Sequence, residues 1–318
     1  MKIGYPCINT SIQRTTASTF RMASYSEKRL INTIKDNLNH LNNILEYNVK
    51  NEILFFRISS DLIPFASHPL CTFEWRKFFQ LEFEQIGEYI KKNKIRISMH
   101  PDQFVILNSN NNKIIENSIN ELKYHCRILD AMYLDGSAKI QIHVGGVYGN
   151  KQEAINRFVD TYNKKIEGSD DCSLKKRLVI ENDDRLYSLE DCLYISQDTG
   201  GIPIVFDCFH HTCYNNGEQL KSALQKAMST WNRNKDGLSI VDYSSQDLGN
   251  GTNDKIRKGK HTGKINITSF KQFLKETQGL DFDIMLEIKD KEKSALKALK
   301  TLRSKTSSPI SFTNQVGL

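Results

Sequence analysis

Side chains that can bind metal ions or move protons stand at the ends of many apolar segments in this sequence. His143 lies in one of these segments, Ile142-His143-Val144, and Glu181 ends another. A carboxylate that ends a buried strand is costly unless it is paired or bound to a metal ion. Seven positions share this pattern: Tyr5, His100, His143, Glu181, Asp207, Asp242 and Glu287. So many acid, base and ligand groups in equivalent positions indicate a polynuclear metal site rather than scattered buried ion pairs.

The chemistry of these candidate ligands limits which metal ions could bind and which reaction they could support. Imidazoles and carboxylates without thiolates suit Zn²⁺, Mn²⁺ or Fe²⁺ better than Ca²⁺ or a metal–sulfur cluster. About eight such ligands could hold two or three ions bridged by carboxylates, and Glu181, central in strand order, is the expected bridge. Clustered divalent ions favour in-line attack on a phosphodiester, because they generate hydroxide and stabilise the departing oxyanion. The residues alone therefore predict metal-dependent phosphodiester hydrolysis.

A short apolar run followed by a longer amphipathic stretch recurs along the chain, which is typical of alternating strands and helices. The predicted strands are Lys2–Ile8, Ile53–Ser59, Ile95–Met99, Lys139–Val144, Arg177–Ile180, Pro203–Phe206, Leu238–Val241 and Asp283–Ile288. The predicted helices are Glu27–Val49, Phe73–Lys92, Lys113–Leu134, Gln152–Ile166, Leu189–Asp198, Glu218–Trp231, Ser269–Gln278 and Lys291–Leu302. This alternation fits a single (β/α)8 TIM barrel or a doubly wound sheet. The strand ends favour the barrel, because they would all converge on its C-terminal face.

Composition and length are those of a globular α/β protein. The chain has 318 residues, of which 39% are hydrophobic and 25% charged, and this excludes the disordered, collagen-like and small disulfide-bonded classes. No linker separates two cores, so we expect one domain over residues 1–302 and a C-terminal tail over 303–318. The net charge of +7 permits an anionic partner without requiring one.

Cysteine usage and the N-terminus indicate the compartment. The seven cysteines include no CxxC pair, which is typical of reduced thiols. The N-terminus turns polar before a signal peptide could form, and no apolar run reaches the roughly 18 residues needed to cross a bilayer. We therefore expect a cytoplasmic monomer with no membrane partner.

Seven groups of residues near the strand ends form a second pattern. They are Gly4-Tyr5-Pro6-Cys7-Ile8-Asn9, Arg57-Ile58-Ser59-Ser60 with Ser67-His68-Pro69, Met99-His100-Pro101-Asp102-Gln103-Phe104, Ile142-His143-Val144-Gly145-Gly146, Leu178-Val179-Ile180-Glu181-Asn182-Asp183-Asp184, Phe206-Asp207-Cys208-Phe209-His210-His211 and Asp242-Tyr243-Ser244-Ser245-Gln246. Together they resemble the UV damage endonuclease family over residues 1 to about 290. The resemblance implies a barrel related to endonuclease IV with a trinuclear metal centre, often manganese. It also implies nicking of damaged double-stranded DNA on the 5′ side of cyclobutane pyrimidine dimers, 6-4 photoproducts and abasic sites, without ATP.

The resemblance also assigns roles to individual residues. Catalytic roles fall on Glu181, Tyr5 and His68, with Tyr5 and His68 lining the metal site. The family's metal ligands fall on His100, His143, Glu181, Asp207, His210, His261 and Glu287.

Two positions depart from the family pattern. Ile240-Val241-Asp242 stands where the family usually has Lys-x-His, so Asp242 could still bind a metal whereas Ile240 could not. The lesion-probing pair, usually Gln-Tyr, is Gln103-Phe104 here. An aromatic wedge beside an amide can fill the hole that a flipped dinucleotide leaves and bond to the orphaned bases. By sequence alone, Phe104 could equally be a core residue at the rim of the barrel.

Basic residues cluster around His261. Lys255, Arg257, Lys258, Lys260 and Lys264 suit contacts to DNA phosphates beside a metal ligand, although any single lysine could belong to a merely solvated loop.

Three other functions remain open from the sequence. An endonuclease IV-like enzyme would cut abasic sites but not photoproducts. A metal-dependent sugar isomerase would use a similar barrel but would have no use for the basic loop or for Gln103-Phe104. A non-catalytic binder of damaged DNA is disfavoured, because a carboxylate-rich centre repels phosphate unless metals are present.

Overall fold

The computed structural model describes residues 1–167, 174–247 and 258–306 of the chain. Eight parallel strands close into a barrel, in which each strand pairs with the next and the last pairs with the first. The strands are β1 (Ile3–Pro6), β2 (Phe55–Ile58), β3 (Arg96–Met99), β4 (Lys139–His143), β5 (Leu178–Glu181), β6 (Ile204–Asp207), β7 (Ser239–Tyr243) and β8 (Phe282–Leu286). The predicted (β/α)8 barrel is confirmed.

Eight main helices surround the strands. They are α1 (Glu27–Lys50), α2 (Gln80–Lys92), α3 (Asn112–Ala131), α4 (Lys151–Tyr162), α5 (Leu189–Asp198), α6 (Leu220–Ser229), α7 (Ile267–Glu276) and α8 (Glu292–Thr306). The predicted helix over 73–92 is wrong in one respect: it divides at the non-helical residue Phe79 into Trp75–Phe78 and α2. The apolar periodicity continues across this break because Phe79 is itself buried, so periodicity could not reveal it. None of the described helices is long and apolar enough to span a membrane.

Polar caps fix the loops that lead from the strands into the helices. Asn111 caps α3, Asn150 caps α4, and Ser188 caps α5 through a reciprocal pair of bonds with Asp191. Each cap accepts a hydrogen bond from a backbone amide in the first helical turn, which would otherwise lack a partner. The loops on the C-terminal face are therefore fixed at their far ends.

The barrel interior has its own apolar layer, separate from the larger core between the strands and the helices. Its residues are Phe55, Val179, Val205, Ile240 and Met285. Because successive side chains of a strand alternate between the two faces, the residue two positions further along points inward as well. Those residues, next to the C-terminal face, are Arg57, Glu181, Asp207, Asp242 and Glu287.

Two buried ion pairs lie toward the N-terminal end of the barrel. Arg96 of β3 donates to Asp283 of β8 at 2.9 Å, and Lys139 of β4 contacts Asp236 at 2.6 Å. The Arg96 guanidinium also lies 5.7 Å from the centre of the Phe55 ring, at the base of the apolar layer. Arg96 and Lys139 therefore each have their own carboxylate.

Candidate metal centre

Glu181 lies at the centre of the charged cluster on the C-terminal face. Its carboxylate oxygens are 3.4 Å from His100 Nε2, 3.7 Å from His143 Nδ1 and 3.2 Å from His210 Nδ1. Burial alone would raise the pKa of Glu181, but His143 and the other two imidazoles hold it well below its usual range. The fold therefore keeps an ionised carboxylate in the interior, surrounded by three potential metal ligands.

Asp207 and His210 form the next part of the cluster. Asp207 ends β6 and caps the short helix Cys208–Cys213, because its Oδ1 accepts a bond from the His210 amide at 2.7 Å. This cap places the His210 ring 3.4 Å from Asp207 Oδ2. Burial would lower the pKa of His210, but Asp207 and Glu181 raise it to about 11. The pKa of Asp207 is raised as well, chiefly by burial, so the Asp207–His210 pair holds a proton while no metal ion is bound.

A hydrogen-bonded chain supports the cluster from below. Arg57 Nη2 donates to both oxygens of Asp242, at 3.0 and 2.8 Å, and the guanidinium also contacts Glu287. Gln141 donates to Glu181 at 2.6 Å and to Asp242 at 2.7 Å. Arg57 and Gln141 thus hold three of the four carboxylates in position, as outer-shell residues do in metal sites.

The histidines are oriented as metal ligands usually are. The Nδ1 atoms of His100, His210 and His261 lie 2.8, 3.0 and 2.9 Å from the backbone oxygens of Pro101, Asn182 and Glu287. A carbonyl oxygen can only accept, so each Nδ1 carries the proton and, in the neutral ring, Nε2 keeps its lone pair for a ligand.

Buried atoms without partners give a second test of whether a metal ion fits. His143 Nδ1 and Asp207 Oδ2 are both buried and make no hydrogen bond, which is costly unless another group satisfies them. Three sets of ligand atoms lie within 4.8 Å of one another: His100, His143 and Glu181; Glu181, Asp207 and His210; and Asp207, Asp242 and Glu287. The residues present therefore fit a centre of divalent ions, with Glu181 and Asp207 each shared by two sets.

A cavity of about 370 Å³ opens beside this cluster. Its walls include His143, His210 and His261, together with Gln103 from the loop after β3 and Arg185 from the loop after β5. A ligand in this cavity would contact the candidate metal centre directly.

Comparison with known proteins assigns the chain to a family. The profile of the family described as UV-endonuclease UvdE matches residues 1–312. The chain belongs to the UV-endonuclease UvdE family. The resemblance read from the strand-end motifs is thereby confirmed.

Similar proteins agree with membership of the UvdE family. The UV DNA damage endonuclease of Clostridium perfringens is 40% identical over 304 residues, which cover 95% of this chain and 71% of that protein. The one from Bacillus thuringiensis is 35% identical over 293 residues, covering 91% and 88%. The crystal structure of SacUVDE is 44% identical, with a TM-score of 0.88 and coverage of 97% and 100%. Endonuclease IV from Thermus thermophilus, at 14% identity, a TM-score of 0.55 and coverage of 83% and 93%, shares the fold.

Two residues that the UvdE motifs had assigned to the site, Tyr5 and His68, are hydrogen-bonded to residues outside the cluster. Tyr5 points away from the barrel interior, where its hydroxyl donates to Asn48 of α1 at 2.6 Å and accepts from Asn9 at 2.7 Å. The reason is the alternation of β1, which turns Gly4 inward against Phe55. His68 lies in the loop after β2 and accepts a bond from the Leu70 amide at 3.1 Å. Neither belongs to the three ligand sets found among the described residues.

The expected DNA-contacting residues that the structure describes lie in loops after β3 and β7, next to the cluster. Gln103 lines the cavity, and the Phe104 side chain next to it is 66% exposed, so Phe104 is not a core residue. Lys258 donates to the Cys213 carbonyl at 2.7 Å, Lys260 pairs with Asp247 at 3.2 Å, and Lys264 is exposed. Lys255 and Arg257 lie outside the described residues.

The sequence analysis assigned no role to Gln141, and none to Arg57, although Arg57 begins one of the seven motif groups. Both interrupt apolar strands, in Phe55-Phe56-Arg57-Ile58 and Ile140-Gln141-Ile142. Both side chains also point into the barrel, as the neighbouring residues of the metal site do. Polar side chains at inward positions were thus the available signal, but arginine and glutamine are neither usual metal ligands nor usual general acids or bases.

Proposed function

We propose that this protein is a metal-dependent endonuclease that nicks UV-damaged duplex DNA on the 5′ side of the lesion. The observation that supports this best is that a carboxylate–imidazole cluster adjoins a cavity lined by Gln103, in a chain of the UvdE family. The substrates are cyclobutane pyrimidine dimers, 6-4 photoproducts and abasic sites. The product is a nicked strand for excision repair.

The side chains prepare the site for a phosphodiester. Divalent ions bound there activate water and neutralise charge on the phosphate. Glu181 offers one oxygen to His100 and the other to His210, which suits a bridging ligand. Arg57 and Gln141 keep Asp242 and Glu181 from moving when ions enter or leave.

Manganese is the metal we propose, in two or three copies. Ile240 is buried in the apolar layer two residues before Asp242 and offers no ligand atom, and Arg57 already occupies both oxygens of Asp242. A third ion would therefore be held by His210 and His261 with water or substrate, and should bind weakly. Metal analysis after extensive dialysis should find about two equivalents, and three retained equivalents would contradict this reasoning.

The lesion is recognised by the exposed pair Gln103 and Phe104. Phe104 contributes an aromatic side chain that is 66% exposed, and Gln103 lines the cavity wall. This arrangement suits insertion of the ring into the duplex while the damaged bases enter the cavity. Lys258, Lys260 and Lys264, and with them Lys255 and Arg257, would contact the phosphates.

The working state we propose is a cytoplasmic monomer. The six cysteines that the structure describes are free thiols, as expected in a reducing compartment.

A plasmid assay separates this function from its alternatives. Irradiated, depurinated and intact supercoiled plasmids are incubated with the protein, with EDTA or with added Mn²⁺. We expect relaxed circles from the irradiated and depurinated plasmids and only with Mn²⁺. Cutting of the depurinated plasmid alone would indicate an endonuclease IV-like enzyme. No cutting under any condition would contradict the proposal and favour a sugar isomerase or a non-catalytic binder.

A further inference from the structure

Tyr148 is an exposed aromatic residue in an unfavourable backbone conformation beside the candidate metal centre. It lies in the loop that follows β4, has a φ of 50° and is 43% exposed. Left-handed backbone disfavours residues with a Cβ, and tyrosine gains no local hydrogen bond there as asparagine would. The conformation belongs to a tight turn, which the Asn150 amide closes by donating to the Val147 carbonyl at 2.9 Å. Asparagine or glycine would fit this turn with less strain, so the turn alone does not account for a tyrosine there.

The surrounding residues hold the ring in place. The Arg157 guanidinium of α4 lies over the ring, 5.3 Å from its centre, and its Nε donates to the Asn108 carbonyl at 3.0 Å. The Asn108 amide and the Tyr187 hydroxyl donate to the Gly146 carbonyl at 2.8 and 2.9 Å. These hydrogen bonds fix the loop on both sides, and the Arg157 guanidinium covers one face of the Tyr148 ring.

The ring lies against Gly146, a residue of the cavity wall. Gly146, which lines the cavity with Gln103 and His143, is so close to Tyr148 that a Cβ on Gly146 would lie 3.1 Å from the ring. Gly145 is equally constrained, because its φ is 117° and a Cβ there would lie 2.3 Å from Asn108 Oδ1. The path of this loop therefore brings the aromatic side chain to the rim that DNA must approach.

We propose that Tyr148 stacks against a nucleobase of the bound DNA at the mouth of this cavity, as a recognition residue distinct from the Gln103-Phe104 pair. An aromatic face stacks on any base, and Arg157 behind the ring lets it do so without rearrangement. The assignment rests on the proposed function, since it requires DNA at the C-terminal face.

The test compares Tyr148→Ala with Tyr194→Ala, because Tyr194 is 44% exposed but lies on α5. Binding is measured by fluorescence anisotropy with Mn²⁺ present, on a labelled duplex that has one cyclobutane dimer and a non-cleavable methylphosphonate linkage on its 5′ side. We expect Tyr148→Ala to bind about 5- to 100-fold more weakly, the range for loss of one stacking contact. Tyr148→Phe and Tyr194→Ala should bind as the wild type does. Equal affinities for wild type and Tyr148→Ala would overturn the proposal.

Tyr148→Gly separates recognition from a structural role. Glycine adopts a φ of 50° without strain, so this variant should unfold at the same temperature as the wild type or higher, yet bind the damaged duplex as weakly as Tyr148→Ala. A lower unfolding temperature with unchanged DNA affinity would make Tyr148 a structural residue. Wild-type nicking of irradiated plasmid is measured in parallel. Its absence would overturn the proposed function, whereas nicking with equal affinities would overturn only the role of Tyr148.

Discussion

The two ends of the barrel contain similar buried ion pairs with different surroundings. Arg96 and Asp283 pair near the N-terminal end, and Arg57 and Asp242 pair near the C-terminal end. At the N-terminal end, Lys139 and Asp236 add a second matched pair. At the C-terminal end, the carboxylates of Glu181, Asp207, Asp242 and Glu287 face a single arginine and a group of imidazoles. A buried ion pair is therefore no sign of function by itself, whereas an excess of buried carboxylates indicates where cations bind.

The largest effect should come from removing charge at the C-terminal end. Glu181→Gln should abolish nicking, a loss of more than about 4 kcal/mol of transition-state stabilisation, because an amide has one acceptor oxygen and cannot bridge two cations. Plasmid nicking, metal content and circular dichroism are measured together. The matched control at the other end is Asp283→Asn, which should lower stability but leave activity per folded molecule unchanged. Wild-type turnover by Glu181→Gln would remove the basis for the metal centre.

Replacing the arginine of each buried ion pair should show how the two ends of the barrel differ. Arg57→Met and Arg96→Met should each lower the free energy of unfolding by about 3–5 kcal/mol in EDTA, since each leaves a buried carboxylate unpaired. Added Mn²⁺ should restore part of the stability of Arg57→Met, because a bound ion can replace the lost charge, but none of that of Arg96→Met. Urea titrations with and without Mn²⁺ check this. Equal recovery in both variants would show that the ends do not differ.

The pH dependence of metal binding should also distinguish the C-terminal end. The pKa of His210 is raised to about 11 without metal. The stability that its proton gives the metal-free fold is therefore full below about pH 6.5 and is lost progressively as the pH rises toward 11. A metal ion needs the neutral ring, and binding must release this proton. The affinity for Mn²⁺ should then rise by up to about 1.4 kcal/mol per pH unit between pH 7 and 9. Calorimetry in two buffers of different ionisation enthalpy measures the released proton, and a buffer-independent heat would contradict it.

The smallest stability effect should come from the exposed recognition pair. Gln103→Ala with Phe104→Ala should leave unfolding nearly unchanged, because Phe104 is 66% exposed. The variant should lose about 1–3 kcal/mol of preference for damaged over intact duplex. Competition binding with both duplexes, alongside metal analysis, gives the ratio. An unaltered ratio would show that Phe104 does not insert into the damaged duplex.

The sequence was enough to predict the barrel and most of the cluster, because both follow from local order. Alternating strands and helices admit few folds, and a barrel brings every strand end to one face. Tyr5 shows the limit of this reasoning. It ends a strand as His100 does, but side-chain parity, not proximity to the strand end, decides which face a residue occupies. Arg57 shows the other limit, since only the closed barrel brings it beside carboxylates from β7 and the end of β8.

Asp207 has two structural roles, and few other side chains could perform both. One oxygen caps the short helix that positions His210, and the other is buried without a hydrogen-bond partner. Asparagine and serine can cap a helix but bring no charge, and glutamate brings charge on a stem one methylene longer. Only aspartate can accept the hydrogen bond from the His210 amide and still present a second carboxylate oxygen to a cation. A random library at position 207 selected for folding alone should therefore retain several residues, whereas selection for repair should retain one.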